Sequence, residues 1–273
     1  MTIDEIKKII EKKVVGKIVS QHSDRGHFYL VGKKDPVLVS SVTQQIIVDR
    51  PHLIPWAIKK SFEWMEDKWN NVDKSNRDDY IRGAQKAPYD VRDDAGDVGS
   101  VAHNIIHEYA KAWMLAGVRP ADIKAFANKD TDYRAIAATR SAEAQFIKQN
   151  CVPLASEILV GSKRHKAAGT LDMLVFSLAS QEIELWDWKS SNSVSDEYAL
   201  QVGAYKRLFE IMTKLKISTT KIMHLSKEYD KCVVYLVPEP DIGFKIWCNL
   251  SKVYMWRENG RKKLEKDVKV YTL

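Results

Sequence analysis

The first third of the chain combines short runs rich in β-forming residues with one stretch of helical spacing. After a short amphipathic helix, such runs begin at Val14, His27 and Pro36, and turn-forming residues separate them. These runs predict a small meander of strands. From Leu53 to about Trp69 the apolar positions follow an approximate helical repeat, and Asn70 to Asp79 is polar. We therefore predict a helix followed by a surface loop.

The middle of the chain predicts helices and strands in an order typical of a mixed sheet. Helical spacing covers Asp97 to about Ala116, Asp132 to Gln149, and Asp196 to Leu215. Three strand-like runs precede the last of these helices and two follow it: SEILVGS, GTLDMLVF, EIELWDWK, TKIMHLS and KCVVYLVP. We therefore predict the α/β class, with a central mixed β-sheet flanked by helices.

Composition and charge narrow the class of protein. Hydrophobic residues make up 45% of the 273 residues and charged residues 29%, as in a packed globular protein. The formal charge of +7 and the pI near 9.1 are compatible with a polyanionic partner, although many basic proteins bind no nucleic acid. Cys151, Cys232 and Cys248 form no C-x-x-C pair, so they predict neither a zinc site nor a disulfide framework. No apolar run reaches membrane-spanning length, and we expect a soluble protein of a reducing compartment with no membrane partner.

An acid and a lysine stand close together at the end of the third predicted strand of the sheet. Because strand side chains alternate between faces, Asp187 and Lys189 should point one way, while Trp186 and Trp188 pack against a helix on the other. A D-x-K tripeptide alone is also typical of an ion pair on an edge strand.

A second carboxylate, Asp172, lies on the neighbouring predicted strand in the run GTLD. Gly169 before it would permit a sharp turn into the strand. Adjacent strands lie about 4.8 Å apart, so carboxylates from two of them can share one hard cation such as Mg²⁺. The alternative is a carboxylate that caps a turn.

Read together, these runs carry a family resemblance. GTLDMLVF, IELWDWKSS and QVGAYK, in this order, resemble the RecB-like branch of the PD-(D/E)XK nucleases, and GSVAHNIIHE occupies the place of that branch's histidine motif. Upstream, SSVTQQIIVDRPHLIPWAIKK is similar to the opening motif of the mitochondrial genome maintenance exonuclease and its bacterial and phage relatives. The resemblance spans roughly Ser40 to Pro238 and implies a restriction-endonuclease-like core.

The resemblance also implies a metal site and the residues that serve it. Four ligands of Mg²⁺ or Mn²⁺ would come from one helix and two strands: His103, Asp172, Asp187 and the backbone carbonyl of Trp188. Lys189 would position or help deprotonate the attacking water. Three further side chains would orient metal-bound waters or hold the site: Glu157, Gln201 and Tyr205. The last two are four residues apart, so they share one helix face.

Two features depart from the family's pattern. The residue four after His103 is His107 where the family has an acid, and Glu108 is shifted by one, so the pattern leaves open which of these reaches the metal. His103 and His107 would alternatively form a zinc pair, but Asn104 stands where that motif has its catalytic Glu. The four-cysteine iron–sulfur clamp of some RecB-like relatives is absent from the sequence.

Several other residues have both a functional and a structural interpretation. Trp56 and Trp64 are spaced as core residues and would also suit stacking on unpaired bases. Five polar or basic residues are candidates for binding nucleic acid: Ser41, Thr43, Lys163, Arg164 and Lys166. The first two would alternatively cap a helix, and the others would form a solvated hairpin tip. Glu182 and Glu184 share the strand parity of the tryptophans, and we expect them to face solvent.

The function implied by the resemblance is that of a Mg²⁺- or Mn²⁺-dependent deoxyribonuclease. An exonuclease acting on single-stranded DNA ends in replication, recombination or repair is the main expectation, with proteins of those processes as further partners. A structure-specific endonuclease and a DNA-holding subunit without cleavage are the alternatives. We expect an N-terminal elaboration that helps to bind DNA over 1–95, the nuclease core over 96–240, and a C-terminal extension packed on the core over 241–273. The expected location is the cytoplasm of a bacterial or phage-infected cell, or another reducing compartment.

Overall fold

The computed structural model describes residues 1–23, 26–32, 35–46, 53–71, 76–227 and 231–266. The helices in these ranges are α1 (Ile3–Lys13), α2 (Val42–Ile46), α3 (Leu53–Lys68), α4 (Arg77–Ala116), α5 (Tyr133–Lys148), α6 (Asp196–Thr213) and α7 (Pro240–Lys266). The strands are β1 (Ile18–Ser23), β2 (Gly26–Val31), β3 (Val37–Ser41), β4 (Cys151–Ser162), β5 (Ala167–Ser177), β6 (Glu182–Lys189), β7 (Thr219–Leu225) and β8 (Cys232–Leu236). Short 3-10 turns cover Trp69–Asn71 and Ile123–Phe126. None of the described helices combines the length and apolarity needed to cross a membrane.

The eight strands form one open, mixed sheet. Its order is β1-β2-β3-β5-β6-β7-β8, and β4 pairs with the long strand β5. The β3–β5 and β6–β7 pairs are parallel, and the other pairs are antiparallel. β4 follows nearly the whole of β5, whereas β3 pairs with residues 167–168 of β5 and β6 pairs with residues 173–177. Residues 169–172 of β5 therefore lie between the two partial partners.

Local signals in the sequence define where several helices begin and end. Thr2 and Glu5 form a capping box at the start of α1, with the Glu5 amide donating to the Thr2 hydroxyl at 3.2 Å. Asp132 caps α5 and Ser195 caps α6, each accepting a backbone N–H of the first turn. Gly117, with φ of 70°, ends α4 in the left-handed conformation that favours glycine.

Helices cover both faces of the sheet, and alternate residues of β5 and β6 face different layers. Trp186 and Trp188 are fully buried towards α4 and α5, and their rings lie 5.3 and 5.9 Å from the ring of Phe146. Leu174 and Leu185 pack on the other face, against α6. Each such side chain contributes roughly 2 kcal/mol through burial. The prediction that the two tryptophans pack against a helix is confirmed.

The predicted α/β class with a central mixed sheet flanked by helices is confirmed, but α4 begins earlier than the predicted start at Asp97. It starts at Arg77, so the loop predicted to reach Asp79 is wrong for its last residues; residues 72–75 lie outside the described part of the chain. The sequence signal failed there because Pro88 lies inside the helix and this half of α4 buries few apolar side chains.

Candidate metal centre

Three carboxylates line up across β4, β5 and β6. The residues on either side of Glu157 pair with those on either side of Asp172, so these two acids lie opposite each other. The β5–β6 ladder ends at Met173 and Trp186, and the next residues along the two strands are Asp172 and Asp187. The three carboxylates therefore meet where β5 lies between its partial partners.

A histidine from α4 completes a group with the spacing of a metal site. The Nδ1 atom of His103 lies 3.8 Å from Oε1 of Glu157 and 3.9 Å from Oδ2 of Asp172. One ligand atom from each of these three residues lies within 4.8 Å of the other two. Glu157 has a φ of 51° in the middle of a strand, a left-handed conformation that costs about 1–3 kcal/mol and is concentrated at functional sites.

Asp187 and Lys189 form the second half of the site. The ammonium of Lys189 contacts Oδ2 of Asp187, and only 1% of the Asp187 side chain is exposed. Its Oδ1 is buried, with no hydrogen-bond partner among the described residues. Trp188 also takes part, because its backbone amide donates to Oδ2 of Asp172 at 2.8 Å. This hydrogen bond joins the two halves of the site. The role of the Trp188 carbonyl as a metal ligand stays a prediction.

The electrostatics of the site show an excess of buried negative charge. The pKa of Asp187 is raised to about 6, chiefly by burial; Lys189 opposes the rise and Asp172 adds to it. Burial also raises the pKa of Asp172. Burial alone would lower the pKa of Lys189 and of His103, but the neighbouring carboxylates outweigh it and raise both. A positively charged ligand would stabilise the ionised form of these acids.

The donor set fits a hard divalent cation. His103, Glu157 and Asp172 offer one imidazole nitrogen and two carboxylates, and the unpartnered oxygen of Asp187 adds a further anionic donor nearby. Carboxylate oxygens with space for water and phosphate suit Mg²⁺ or Mn²⁺. The group lacks the thiolates and the second histidine that would favour zinc.

His107 and Glu108 have protein partners outside the metal group. His107 Nδ1 lies 3.1 Å from the hydroxyl of Ser156, and that hydroxyl donates to the backbone carbonyl of Asp172 at 3.1 Å. Glu108 pairs with Lys111 at 3.2 Å. Neither belongs to the metal group, so His107 supports the strand that carries Asp172, and the zinc-pair interpretation is not supported.

Gln201 and Tyr205 lie on the α6 side of the site, as the resemblance implies. The Gln201 side-chain amide donates to the Tyr205 hydroxyl at 3.0 Å. Burial, together with Asp187 and Asp172, raises the pKa of Tyr205, so its phenol stays neutral. The Tyr205 ring lies so close to Gly169 that a Cβ there would approach it to 2.5 Å. Gly169 is therefore a regular strand residue that makes room for this ring, and the predicted sharp turn is wrong.

Two tyrosines near the site were missed from the sequence. The Lys189 ammonium lies 4.9 Å from the centre of the Tyr198 ring. Tyr29 on β2 is buried, and burial raises its pKa, with Thr170 opposing and Glu157 adding to the rise. Tyr198 stands three residues before Gln201 and could have been found by following that helix one turn back. Tyr29 gave no signal, because only the sheet topology brings β2 near β5.

A large cleft, about 1700 Å³ in volume, opens over the metal group. His103, Glu157 and Lys189 line its floor, whereas α3 and the middle of α4 supply a wall rich in apolar side chains. On α3, Ile58 and Phe62 are 53% and 58% exposed, although both are large and hydrophobic. Exposed apolar surface of this kind marks a binding site more often than a defect.

The two tryptophans of α3 differ in their surroundings. Trp56 lines the cleft. Trp64 packs against Tyr80, with ring centres 5.5 Å apart, and against Gly83, where a Cβ would come within 2.3 Å of the indole. Trp64 therefore joins α3 to α4 as a packing residue, and Trp56 faces the space where a ligand would lie.

The basic residues proposed for nucleic-acid binding lie outside the metal group. Lys163, Arg164 and Lys166 are exposed at the β4–β5 turn, and the Lys163 ammonium contacts the backbone carbonyl of Asp35. Lys166 precedes Asp172 by six residues, about 20 Å along an extended strand. If a DNA strand binds at the metal group, the basic turn could therefore contact only a distant phosphate of that DNA.

Ser41 and Thr43 stand at the start of α2, and the structure favours the capping interpretation for the first. Ser41 is buried, and its hydroxyl accepts the backbone N–H of Gln44 at 3.0 Å. Thr43 is exposed on α2. Neither residue belongs to the metal group.

Comparison with known proteins adds little to this geometry. No protein-family model and no curated protein matches the chain. Among solved structures it is similar to the crystal structure of SSO0001, with 12% identity and a TM-score of 0.32 over 58% of this chain and 75% of that chain. A likeness of this size carries no argument about function.

Proposed function

We propose that this protein is a Mg²⁺- or Mn²⁺-dependent nuclease that hydrolyses phosphodiester bonds in unpaired DNA strands, chiefly from their ends. The observation that carries the proposal is a group of His103, Glu157 and Asp172 with the spacing of metal ligands at an open cleft. The buried Asp187–Lys189 pair lies beside this group. The order of motifs that resembles the RecB-like PD-(D/E)XK nucleases supports the same activity. DNA processing during replication, recombination or repair is the setting that this resemblance favours.

The side chains divide the chemistry between them. When bound, Mg²⁺ or Mn²⁺ supplies Lewis-acid chemistry to the attacking water and the scissile phosphate. His103, Glu157 and Asp172 would hold the cation, with the unpartnered oxygen of Asp187 as a further donor. The amide of Trp188 fixes one oxygen of Asp172. In the reaction a water oxygen bonds to phosphorus, the bond from phosphorus to one bridging oxygen breaks, and that oxygen takes up a proton.

Lys189 would act on the attacking water and on the phosphate. Its side chain is 15% exposed and lines the cleft, while Asp187 holds its ammonium from behind. A cation there orients the water and stabilises the negative charge that grows on the phosphate oxygens. Gln201 and Tyr205 form a hydrogen-bonded pair beside these groups and would orient water or hold a phosphate.

The cleft supports an unpaired strand as substrate. Bases are available for contact with an apolar wall only when they are not paired inside a duplex. Ile58 and Phe62 present such a wall opposite the charged floor. A single strand can therefore place its bases towards α3 and its phosphates towards His103 and Lys189.

The test combines metal binding with cleavage products. Purified protein is titrated with Mn²⁺ by calorimetry, and is incubated with 5′- and 3′-labelled linear single strands, duplexes and single-stranded circles in Mn²⁺ or EDTA. We expect Mn²⁺ binding that Asp172→Asn weakens at least tenfold, and short products from linear single strands in Mn²⁺ alone. Cleavage of circles would indicate an endonuclease. DNA binding without any cleavage would identify a DNA-holding subunit and overturn the proposal.

A further inference from the structure

Two groups of different chemistry hold the Lys189 ammonium. On one side it contacts the carboxylate of Asp187, and on the other it lies 4.9 Å from the centre of the Tyr198 ring. The face of an aromatic ring attracts a cation without forming a directional bond. The ring therefore restricts where the ammonium lies, and it leaves the N–H groups free to bind water or phosphate.

Tyr198 is itself fixed in place at the start of α6. Its backbone N–H donates to the carbonyl of Ser195 at 3.0 Å, and its hydroxyl donates to the side chain of Ser191 at 3.3 Å. The carbonyl of Ser191 in turn accepts a hydrogen bond from Nε2 of His224 at 2.6 Å. The ring is thereby joined to the segment that directly follows Lys189 and to strand β7.

We infer that Tyr198 is a positioning residue for Lys189, holding the lysine ammonium between Asp187 and the cleft in the orientation that the reaction needs. The inference rests on the proposed function and adds a residue outside the motifs that the resemblance identifies. The lysine stem has four rotatable bonds, so an ammonium held by Asp187 alone would have more freedom to leave that position. A ring face should restrict this freedom, and an aliphatic side chain of similar size should not.

A kinetic experiment separates positioning from substrate binding. Tyr198→Leu removes the ring face, Tyr198→Phe keeps it, and Tyr133→Leu removes a 73% exposed tyrosine from another helix as a control. On a single-stranded substrate in Mn²⁺, we expect Tyr198→Leu to lower kcat about tenfold with KM unchanged, and Tyr198→Phe to lose less than about threefold. A raised KM with unchanged kcat in Tyr198→Leu would make the residue a substrate contact and overturn the inference.

A spectroscopic measurement tests the same contact without metal or activity. The side-chain CH₂ε resonances of Lys189, assigned by their loss in Lys189→Met, should be shifted upfield by the ring of Tyr198. We expect the shift to persist in Tyr198→Phe and to disappear in Tyr198→Leu, whereas an unchanged shift in Tyr198→Leu would refute the contact. If the shift behaves as expected but the wild type cleaves no DNA, the proposed function fails and the contact stands.

Discussion

Strand β6 carries two buried contacts between a carboxylate and a lysine, on opposite faces of the sheet. On the α5 side, Glu184 pairs with Lys221 at 2.6 Å and accepts the indole N–H of Trp186 at 2.8 Å. The Lys221 ammonium also donates to the side-chain oxygen of Gln149 at 2.5 Å. On the α6 side, Asp187 contacts Lys189 but keeps a buried oxygen with no partner in the described part of the chain.

The two pairs differ in whether their polar atoms all have protein partners. The Glu184–Lys221 pair is closed by protein groups, so its role is structural. The Asp187–Lys189 pair lies beside His103 and the cleft, and one buried oxygen of Asp187 has no partner among the described residues. A buried acid–lysine contact therefore does not mark a functional site by itself, whereas an unpartnered buried oxygen beside a cleft makes it a candidate.

The largest expected effect is on cleavage, because only the Asp187–Lys189 pair contributes to the lining of the cleft. Asp187→Asn should lower kcat at least about 10³-fold, because it removes a metal ligand and the partner of Lys189. Glu184→Gln should stay within about threefold of the wild type when assayed at a temperature where it remains folded. Single-turnover cleavage of a labelled single strand measures both. Equal losses in the two variants would remove the distinction between the pairs.

Stability should respond in the opposite order. Glu184→Gln leaves the Lys221 ammonium buried without its counterion, which costs about 3–5 kcal/mol in the free energy of unfolding. Asp187→Asn should cost less than about 1 kcal/mol at pH 7 in EDTA, because the ionised Asp187 is already poorly accommodated there. Urea denaturation measures both values. The double variant Glu184→Gln/Lys221→Met should recover most of the lost unfolding free energy. A further loss would show that the cost does not come from the unpaired Lys221 ammonium.

The two pairs also show how far sequence reasoning extends. Strand alternation places Asp187 and Lys189 together and sends Trp186 and Trp188 to the other face, and the structure agrees. The same parity led us to predict a solvent-facing Glu184, which is wrong, since this residue is 8% exposed. Its partner Lys221 comes from β7, and nothing local in the sequence shows that β7 lies beside β6.

The helices illustrate a different limit. The resemblance led to His103, whereas spacing alone could not decide between His107 and Glu108, because both choices fit one helix turn. Glu108 pairs with Lys111 within α4, whereas the partner of His107, Ser156, depends on how α4 meets β4. The apolar wall of the cleft could not be predicted from the sequence either. A half-exposed apolar residue such as Phe62 has the same helical spacing as a core residue.

The stability of the metal-free protein should depend on pH through Asp187 of the Asp187–Lys189 pair. The folded-state pKa of Asp187 is about 6 against an ordinary 3.8, so the folded protein binds this proton more tightly than the unfolded chain. Its contribution to stability is therefore fully present below the ordinary pKa and is lost as pH rises through about 6, by about 3 kcal/mol in all. The raised pKa of Asp172 acts in the same direction.

This pH dependence is measured as the difference in unfolding free energy between the wild type and Asp187→Asn, in EDTA at pH 4 and pH 7. We expect the difference to move in favour of the variant as pH rises. Saturating Mn²⁺ should reverse the trend in the wild type, because the cation binds the ionised acids. Parallel pH profiles for the two proteins would show that Asp187 has an ordinary pKa.

The smallest expected effect concerns the apolar wall of the cleft, opposite the Asp187–Lys189 pair. No such wall lies beside the Glu184–Lys221 pair in the described part of the chain. Phe62→Ala removes a ring that is 58% exposed in the cleft, so the fold should lose little stability. Contact with one base contributes about 1–3 kcal/mol, and neighbouring apolar residues share the surface, so we expect KM for a single strand to rise about tenfold with kcat unchanged. Trp256→Ala, at a 74% exposed residue of α7 outside the cleft lining, is the matched control. If both variants keep the wild-type KM, the wall does not bind bases, and the preference for unpaired strands must come from the floor of the cleft.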